Sequence, residues 1–335
     1  MSFTINAQNI FEYEKEIENK HDYTSEEIEI INTEENLKLY GVLQTPKSEF
    51  ENIIIIVPGS GMDSRHSHYL LTQELLKNNI AVFRYDERGV GKSDGKFSTV
   101  TYGISKITND LVFVINHLKK VKLLSNKLFG LIGHSQGGMA TIGAYARGVE
   151  IDFLIQWATP IEKHGEFLKY QVKTGINKFD NELKFDNINK KLEIMDIVHK
   201  MVEQNRTDDD LTLSKKLSIE TKKYGYKRKN YDRFKYFTLP AMKDLLRQNY
   251  ESTYQNINIP ILYLIGSEDK FVSPKANADL LKSYENKQIN IKILNGLNHY
   301  LTKQEINPSN LKMSSSFYEM DKNALETIIN WINNK

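Results

Sequence analysis

KLFGLIGHSQGGMATIGAYAR, residues 127–147, is the stretch on which the reading of this chain turns. It opens with a short apolar run, KLFGLIG, of the kind that forms a strand buried on both faces. It closes with a helix-compatible segment from about Gln136 to Arg147. Between the two sits Gly133-His134-Ser135-Gln136-Gly137, a G-x-S-x-G. The pentapeptide alone decides little in a chain with 18 glycines, because such a match arises by chance about one time in twenty. Its setting decides more. A serine in a sharp strand-to-helix turn is presented at the edge of a sheet, and a Cβ at either glycine would strike the neighbouring strand or helix. The bland alternative is a small-residue turn with a buried serine.

Outward from this motif the same rhythm repeats. NIIIIVP (52–58), IAVFRYD (80–86), IDFLIQWA (151–158), IPILYLIG (259–266) and QINIKILNG (288–296) read as strands. Helices are expected around Tyr69–Lys77, over Ile104–Lys120 and at the terminal ALETIINWINNK. The second of these carries Ile107, Leu111, Val114, Ile115 and Leu118 on one stripe, a spacing that matches the helical period. Upstream, EIEIIN (27–32) and LKLYGVLQT (37–45) alternate apolar and polar residues and read as an antiparallel hairpin. Alternating βα units define an α/β class, with a mostly parallel central sheet and helices on both faces.

The strand rhythm stops between residues 160 and 257, where Lys, Asn, Asp and Tyr abound. LEIMDIVHKMVEQ (192–204) and LPAMKDLLRQNY (239–250) read as helices there, and TDDDL (207–211) as a solvated helix start rather than a metal site. The organisation expected is an N-terminal arm over 1–25, helical or partly ordered, and a core of 26–159 and 258–335. Residues 160–257 form a helical insertion.

Bulk properties remove several functional classes. The 335 residues are 40% hydrophobic and 26% charged, with a formal charge of +2, so no global field recruits nucleic acid or an anionic membrane. The absence of cysteine excludes a disulfide framework, a cysteine-based zinc site and a cysteine nucleophile. No basic segment followed by an apolar one opens the chain, and the longest apolar run, Ile53–Val57, is far too short to span a bilayer. A cytoplasmic protein is expected, with a small molecule as its partner.

Serine is a poor nucleophile at its own pKa and needs a base and a group to orient that base. In an elbow of this kind they follow in chain order, acid and then His, on loops after later strands. Asp269 in GSEDKFVSP (266–274) and His299 in LNGLNHYL (294–301) meet that requirement. Glu268 is the rival acid. His66 and His68 fall in the wrong chain position for a base but could line a pocket. His21, His117, His164 and His199 have no partner pattern. An oxyanion needs two donors: the backbone N–H of Gln136, and that of Ser60 in Pro58-Gly59-Ser60-Gly61, with Gly61 or Met62 in its place if the loop turns differently.

Together PGSGMDSR (58–65), RYDERGVGKSDG (84–95), GHSQGG (133–138), GSEDKFVSP and NGLNHYL resemble the α/β-hydrolase superfamily of serine hydrolases. The closer likeness is to bacterial esterases related to dienelactone hydrolases, cinnamoyl esterases and the serine aminopeptidase-like group. It covers residues 28–335 less the insertion. The resemblance implies an α/β-hydrolase fold, a helical cap at 160–257 over the site, and ester hydrolysis by two-step acyl transfer through Ser135, His299 and Asp269, with no metal or organic cofactor. It implies that Asp86 and Arg88 brace a loop. Gly61, Met62, His134 and Trp157, with Phe167 and Tyr170, are candidate pocket walls. Thioesters, lactones and amides suit the same machinery. A non-catalytic ligand-binding protein on this fold is the alternative from another class. In one respect the chain departs from many relatives: Pro58-Gly59 stands where they carry His-Gly, so any imidazole role there is lost.

Overall fold

A computed structural model describes residues 11–176, 187–223, 235–306 and 319–335. Residues 1–10 of the expected arm, and 177–186 and 224–234 of the expected insertion, lie outside the described residues.

Eight strands form one sheet in the order β1-β2-β4-β3-β5-β6-β7-β8. They are β1 (Tyr23–Asn32), β2 (Leu37–Pro46), β3 (Asn52–Val57), β4 (Ala81–Tyr85), β5 (Leu128–His134), β6 (Phe153–Trp157), β7 (Ile261–Gly266) and β8 (Ile289–Leu294). The hairpin β1–β2 is antiparallel and joins β4 antiparallel; every other pairing is parallel. Strands β3, β4, β6 and β7 are buried along their whole length. That is why they appear as unbroken apolar runs: helices cover both faces, leaving no solvent side for polar residues. Each fully buried Ile or Leu here stabilises the sheet by about 1.5–3 kcal/mol.

The flanking helices of the core are α1 (Tyr69–Lys77), α2 (Ile104–Leu118), α3 (Gln136–Ala146), α9 (Pro274–Ser283) and α10 (Lys322–Asn333). The Ile107-to-Leu118 stripe of α2 is buried against the sheet. Register decides where the chemistry sits. Val57 pairs with Gly133, His134 with Trp157, and Gly266 with Leu294, so the loops leaving β3, β5, β7 and β8 emerge at one edge. In open parallel sheets this carboxyl edge is where ligands bind.

Between β6 and β7 the described chain is helical: α4 (Phe167–Thr174), α5 (Ile188–Gln204), α6 (Asp210–Lys223), α7 (Pro240–Arg247) and α8 (Glu251–Asn256). The Asp209 carboxylate accepts from Thr212 N–H at 2.8 Å and so caps the start of α6. Phe167, Ile194, Val198, Leu213 and Leu245 form an apolar cluster that also takes in Ile104 of α2 and Met139 of α3. The insertion is thus sealed onto the core rather than standing apart.

The N-terminal arm, expected as helical or partly ordered, carries no α-helix among the described residues. Residues 11–19 run without helix, and a single 3₁₀ turn occupies Lys20–Asp22. Tertiary partners replace helical hydrogen bonds: Glu14, buried, accepts from Ser64 N–H at 2.9 Å and Ser64 Oγ–H at 2.7 Å, while Tyr13 Oη–H donates to Met62 O at 2.7 Å. Strand β1 begins at Tyr23, ahead of the expected core boundary, because β2 is long enough to pair Tyr23 with Pro46.

RYDERGVGKSDG folds into a buried ionic brace. Asp86 accepts from Arg65 N (2.9 Å), Nε (3.1 Å) and Nη2 (2.6 Å) and from Lys92 N (2.9 Å). Arg88 reaches Asp110 at 2.7 Å and Glu35 at 2.5 Å. No helix of the described residues is long and apolar enough to cross a membrane. Asp86→Ala leaves the buried Arg65 guanidinium with Glu27 alone and strands the Arg65 and Lys92 backbone N–H groups. We expect it to lower stability by about 3–5 kcal/mol, measured by urea unfolding; a loss within error of zero would show that the brace is ornamental.

Candidate active site

Ser135 stands between β5 and α3 with φ 52° and ψ −116°, a combination that non-glycine residues rarely adopt. Its N–H donates to Trp157 O at 2.8 Å, which anchors the turn to β6. Three glycines make the strain tolerable by letting backbones meet. A Cβ on Gly133 would sit 2.5 Å from Gly138 Cα, and one on Gly137 would fall on the Pro58 and Val57 carbonyls. One on Gly59 would sit 3.4 Å from Ser135 Cβ. The loop after β3 therefore lies directly against the serine. Gln136 opens α3, where the first backbone N–H groups have no partner within the helix.

Asp269 and His299 meet. His299 Nδ1 lies 2.7 Å from Asp269 Oδ2, and both side chains are buried. The other carboxylate oxygen accepts from Phe271 N–H at 2.7 Å and Val272 N–H at 2.9 Å, so the turn after β7 fixes the carboxylate that faces His299. Glu268 points elsewhere and accepts from its neighbour Ser267 Oγ at 3.0 Å. The His299 loop is equally constrained: Asn298 Oδ1 accepts from Tyr300 N–H (2.8 Å) and Thr302 N–H (3.2 Å). The His299 carbonyl accepts from Trp157 Nε1–H at 3.1 Å.

Ser135 and His299 both line a cavity of about 530 Å³. It is lined by Gly59, Ser60, Gly61, His134 and Gln136 of the core and by Phe167, Leu168, Phe237, Met242 and Leu245 of the insertion. A smaller hollow of about 110 Å³ shares Gly59–Gly61, Gln136 and Met242 and reaches Tyr102, Ile107 and Glu87. Burial, and then the Asp63 carboxylate, push the Glu87 carboxyl well above its ordinary range. Burial holds the His68 imidazole down at about 3 and that of His134 well below its ordinary value. Both rings are neutral walls at pH 7.

With this geometry in hand, comparison with known proteins is informative. A family model described as serine aminopeptidase, S33, matches residues 48–306. The chain belongs to that family. Among solved structures it is similar to a Pyrococcus furiosus esterase, with a TM-score of 0.59, 17% identity, and 93% of this chain and 91% of the other covered. Est1E from Butyrivibrio proteoclasticus, solved with ferulic acid bound, aligns with a TM-score of 0.54, 19% identity, and coverage of 92% and 98%. A Mycobacterium smegmatis proline iminopeptidase aligns with 0.56, 12% identity, and 92% and 98%. A search of curated proteins found no match. At these identities the structural likeness speaks to the α/β-hydrolase fold.

In this S33-family chain several candidate walls lie where the sequence puts them and others do not. Gly61, His134 and Phe167 line the cavity, as does His68. Trp157 does not: it is 1% exposed, stacked on His134 at 4.2 Å, with its indole committed to the His299 carbonyl. Met62 does not either: it is 45% exposed and is not among the residues that line the cavity. Tyr170 stands behind the acid, its hydroxyl donating to Asp269 O at 2.9 Å. His66 lines a separate cavity. Sequence reasoning missed Phe271 and Tyr300, which lie close to Asp269 and His299 in sequence and both line the cavity; that adjacency was the available signal. Asp63, Thr99 and Met242 line it without any local signature.

Gly137→Ala tests the elbow. Its methyl must push β3 and the Gly59–Gly61 loop away from Ser135, and we expect about 3 kcal/mol of destabilisation with a lower melting temperature. Unchanged thermal unfolding would mean that the turn has slack.

Proposed function

We propose that this protein hydrolyses small, partly apolar carboxylic esters by two-step acyl transfer. The observation that carries the reading is the 2.7 Å bond between His299 Nδ1 and Asp269, made on the wall of the cavity that the strained Ser135 also lines.

Ser135 Oγ attacks the ester carbonyl carbon while His299 Nε2 takes its proton. Asp269 remains ionised, holds the Nδ1–H tautomer and stabilises the imidazolium that forms. The carbonyl oxygen becomes an oxyanion held by the N–H groups of Gln136 and Ser60. Collapse expels the alcohol, which takes the proton from His299. Water, deprotonated by the same imidazole, then cleaves the acyl-enzyme and releases a carboxylate. The scheme requires no metal or organic cofactor. The helices of 160–257 act as a cap: their apolar residues roof the cavity, exclude water and set the size of the acyl or alcohol group.

A second reading keeps the machinery and changes the bond. The family's aminopeptidase description favours an amide or peptide substrate, and thioesters and lactones suit the same triad. Rates on matched p-nitrophenyl esters and p-nitroanilides separate the two: ester turnover without anilide turnover supports our reading, and the reverse overturns it.

The triad is tested without guessing a substrate. Intact-mass analysis after a small fluorophosphonate should show one adduct on wild type and none on Ser135→Ala, whose kcat should fall roughly 10⁴-fold or more. An unlabelled but folded wild type would favour a non-catalytic ligand-binding protein. Asp269→Ala should be severely impaired and Glu268→Ala near normal; the opposite pattern moves the acid. Ser60→Pro lacks the N–H and should lose on the order of 10²-fold in kcat.

A further inference from the structure

Three arginines lie in or beside the RYDERGVGKSDG brace, and they are not treated alike. Arg65 is paired with Asp86 and Glu27, and Arg88 with Asp110 and Glu35. Arg84, on β4 and 4% exposed, touches no carboxylate among the described residues. Its Nη1 donates to Ser67 O at 2.7 Å and its Nη2 to Gln44 Oε1 at 2.8 Å, both neutral acceptors. Its buried Nε–H has no acceptor among the described residues. Burial of this kind pulls the guanidinium down to about 9, against which only the Glu14 carboxylate acts. A buried cation left with neutral partners is unfavourable unless something else neutralises it.

The surroundings show what could. Arg84 lines a cavity of about 320 Å³ that shares no lining residue with the one at Ser135. Lys20 enters it from the N-terminal arm and Arg65 and His66 from the loop before α1, with Glu16 and Glu27 the carboxylates on its wall. Those carboxylates are already engaged, Glu16 by Lys20 and Glu27 by Arg65 and Lys92. Burial and then the Arg84 guanidinium hold the His66 imidazole down at about 4, with Arg65 and Lys20 adding to the effect and Asp86 opposing it. Ile17 and Val42 supply an apolar wall.

We propose that this cavity binds a small carboxylate with a short apolar body, its oxygens beside Arg84 and His66. A planar carboxylate matches the guanidinium edge, and Ile17 and Val42 take the alkyl part. The inference does not depend on the esterase reading.

The test uses butyrate, inorganic phosphate and chloride at matched ionic strength, on wild type and Arg84→Gln. Binding is read by the pH titration of the His66 ring resonance and by melting temperature. An anion seated there stabilises the imidazolium, so butyrate should raise the His66 pKa saturably from about 4 and raise the melting temperature, while chloride does neither. Arg84→Gln removes a charged donor and should weaken butyrate about tenfold or more, with an unchanged far-ultraviolet circular dichroism spectrum and cooperative melting as the control that the fold persists. Should that variant fail to fold, the wild-type His66 titration decides alone. A His66 pKa indifferent to butyrate overturns the proposal. Saturation by phosphate but not butyrate overturns the carboxylate assignment.

Discussion

The contact that everything else at this site depends on is between backbones: the turn after β5 pressed against the end of β3. Gly133 and Gly137 let α3 start within touching distance of the Val57 and Pro58 carbonyls. That closeness holds Ser135 at φ 52° and ψ −116° and brings the Gly59–Gly61 loop alongside it. The strain is local, whereas its support is distributed over two buried parallel strands and the Ser135–Trp157 backbone bond. A looser sheet would let the serine relax into the helix.

From that fixed point the parallel register does the positioning. Because Trp157 is level with both His134 and Leu264, and Gly266 with Leu294, the loops after β7 and β8 leave the sheet at the same edge as the serine turn. Short hydrogen-bonded turns then aim the side chains. Asp269 is held by two backbone N–H groups, and the His299 loop by Asn298. Trp157 joins the two halves of the site by supporting the serine through its carbonyl and the histidine loop through its indole. Apolar residues of α4 and α7 line the same cavity as Ser135 and His299.

Much of this is legible in the chain because the relevant signals are local. Buried strands announce themselves as β-branched runs, and a glycine-flanked serine between a strand and a helix fits few local structures besides an elbow. Asp269 and His299 are legible because each closely follows a strand. The choice of Asp269 over Glu268 rests on their one-residue offset, and the turn geometry gives it a cause: only Asp269 faces the Phe271 and Val272 N–H groups. Trp157, Met62 and Tyr170 depart from their expected places for a common reason. All three are near the site in sequence, and nearness does not say which side of a loop or strand a side chain takes. The N-terminal arm departs from a helix because its polar residues find partners in Ser64 and Met62, far along the chain.

The sequence by itself determined the α/β class with its mostly parallel sheet, the glycine-flanked serine between a strand and a helix, and the Asp269 and His299 loops after later strands, since each follows from periodicity, glycine placement and chain order over a few residues; the α/β-hydrolase fold is what its resemblance to that superfamily implies. Only the tertiary structure decided which side chains wall the cavity, which arginines of the brace are neutralised and which one is left with neutral partners. Those are questions of distance between segments far apart in the chain. Burial and charge pairing settle them, and both exist only once the sheet, the arm and the inserted helices are packed together.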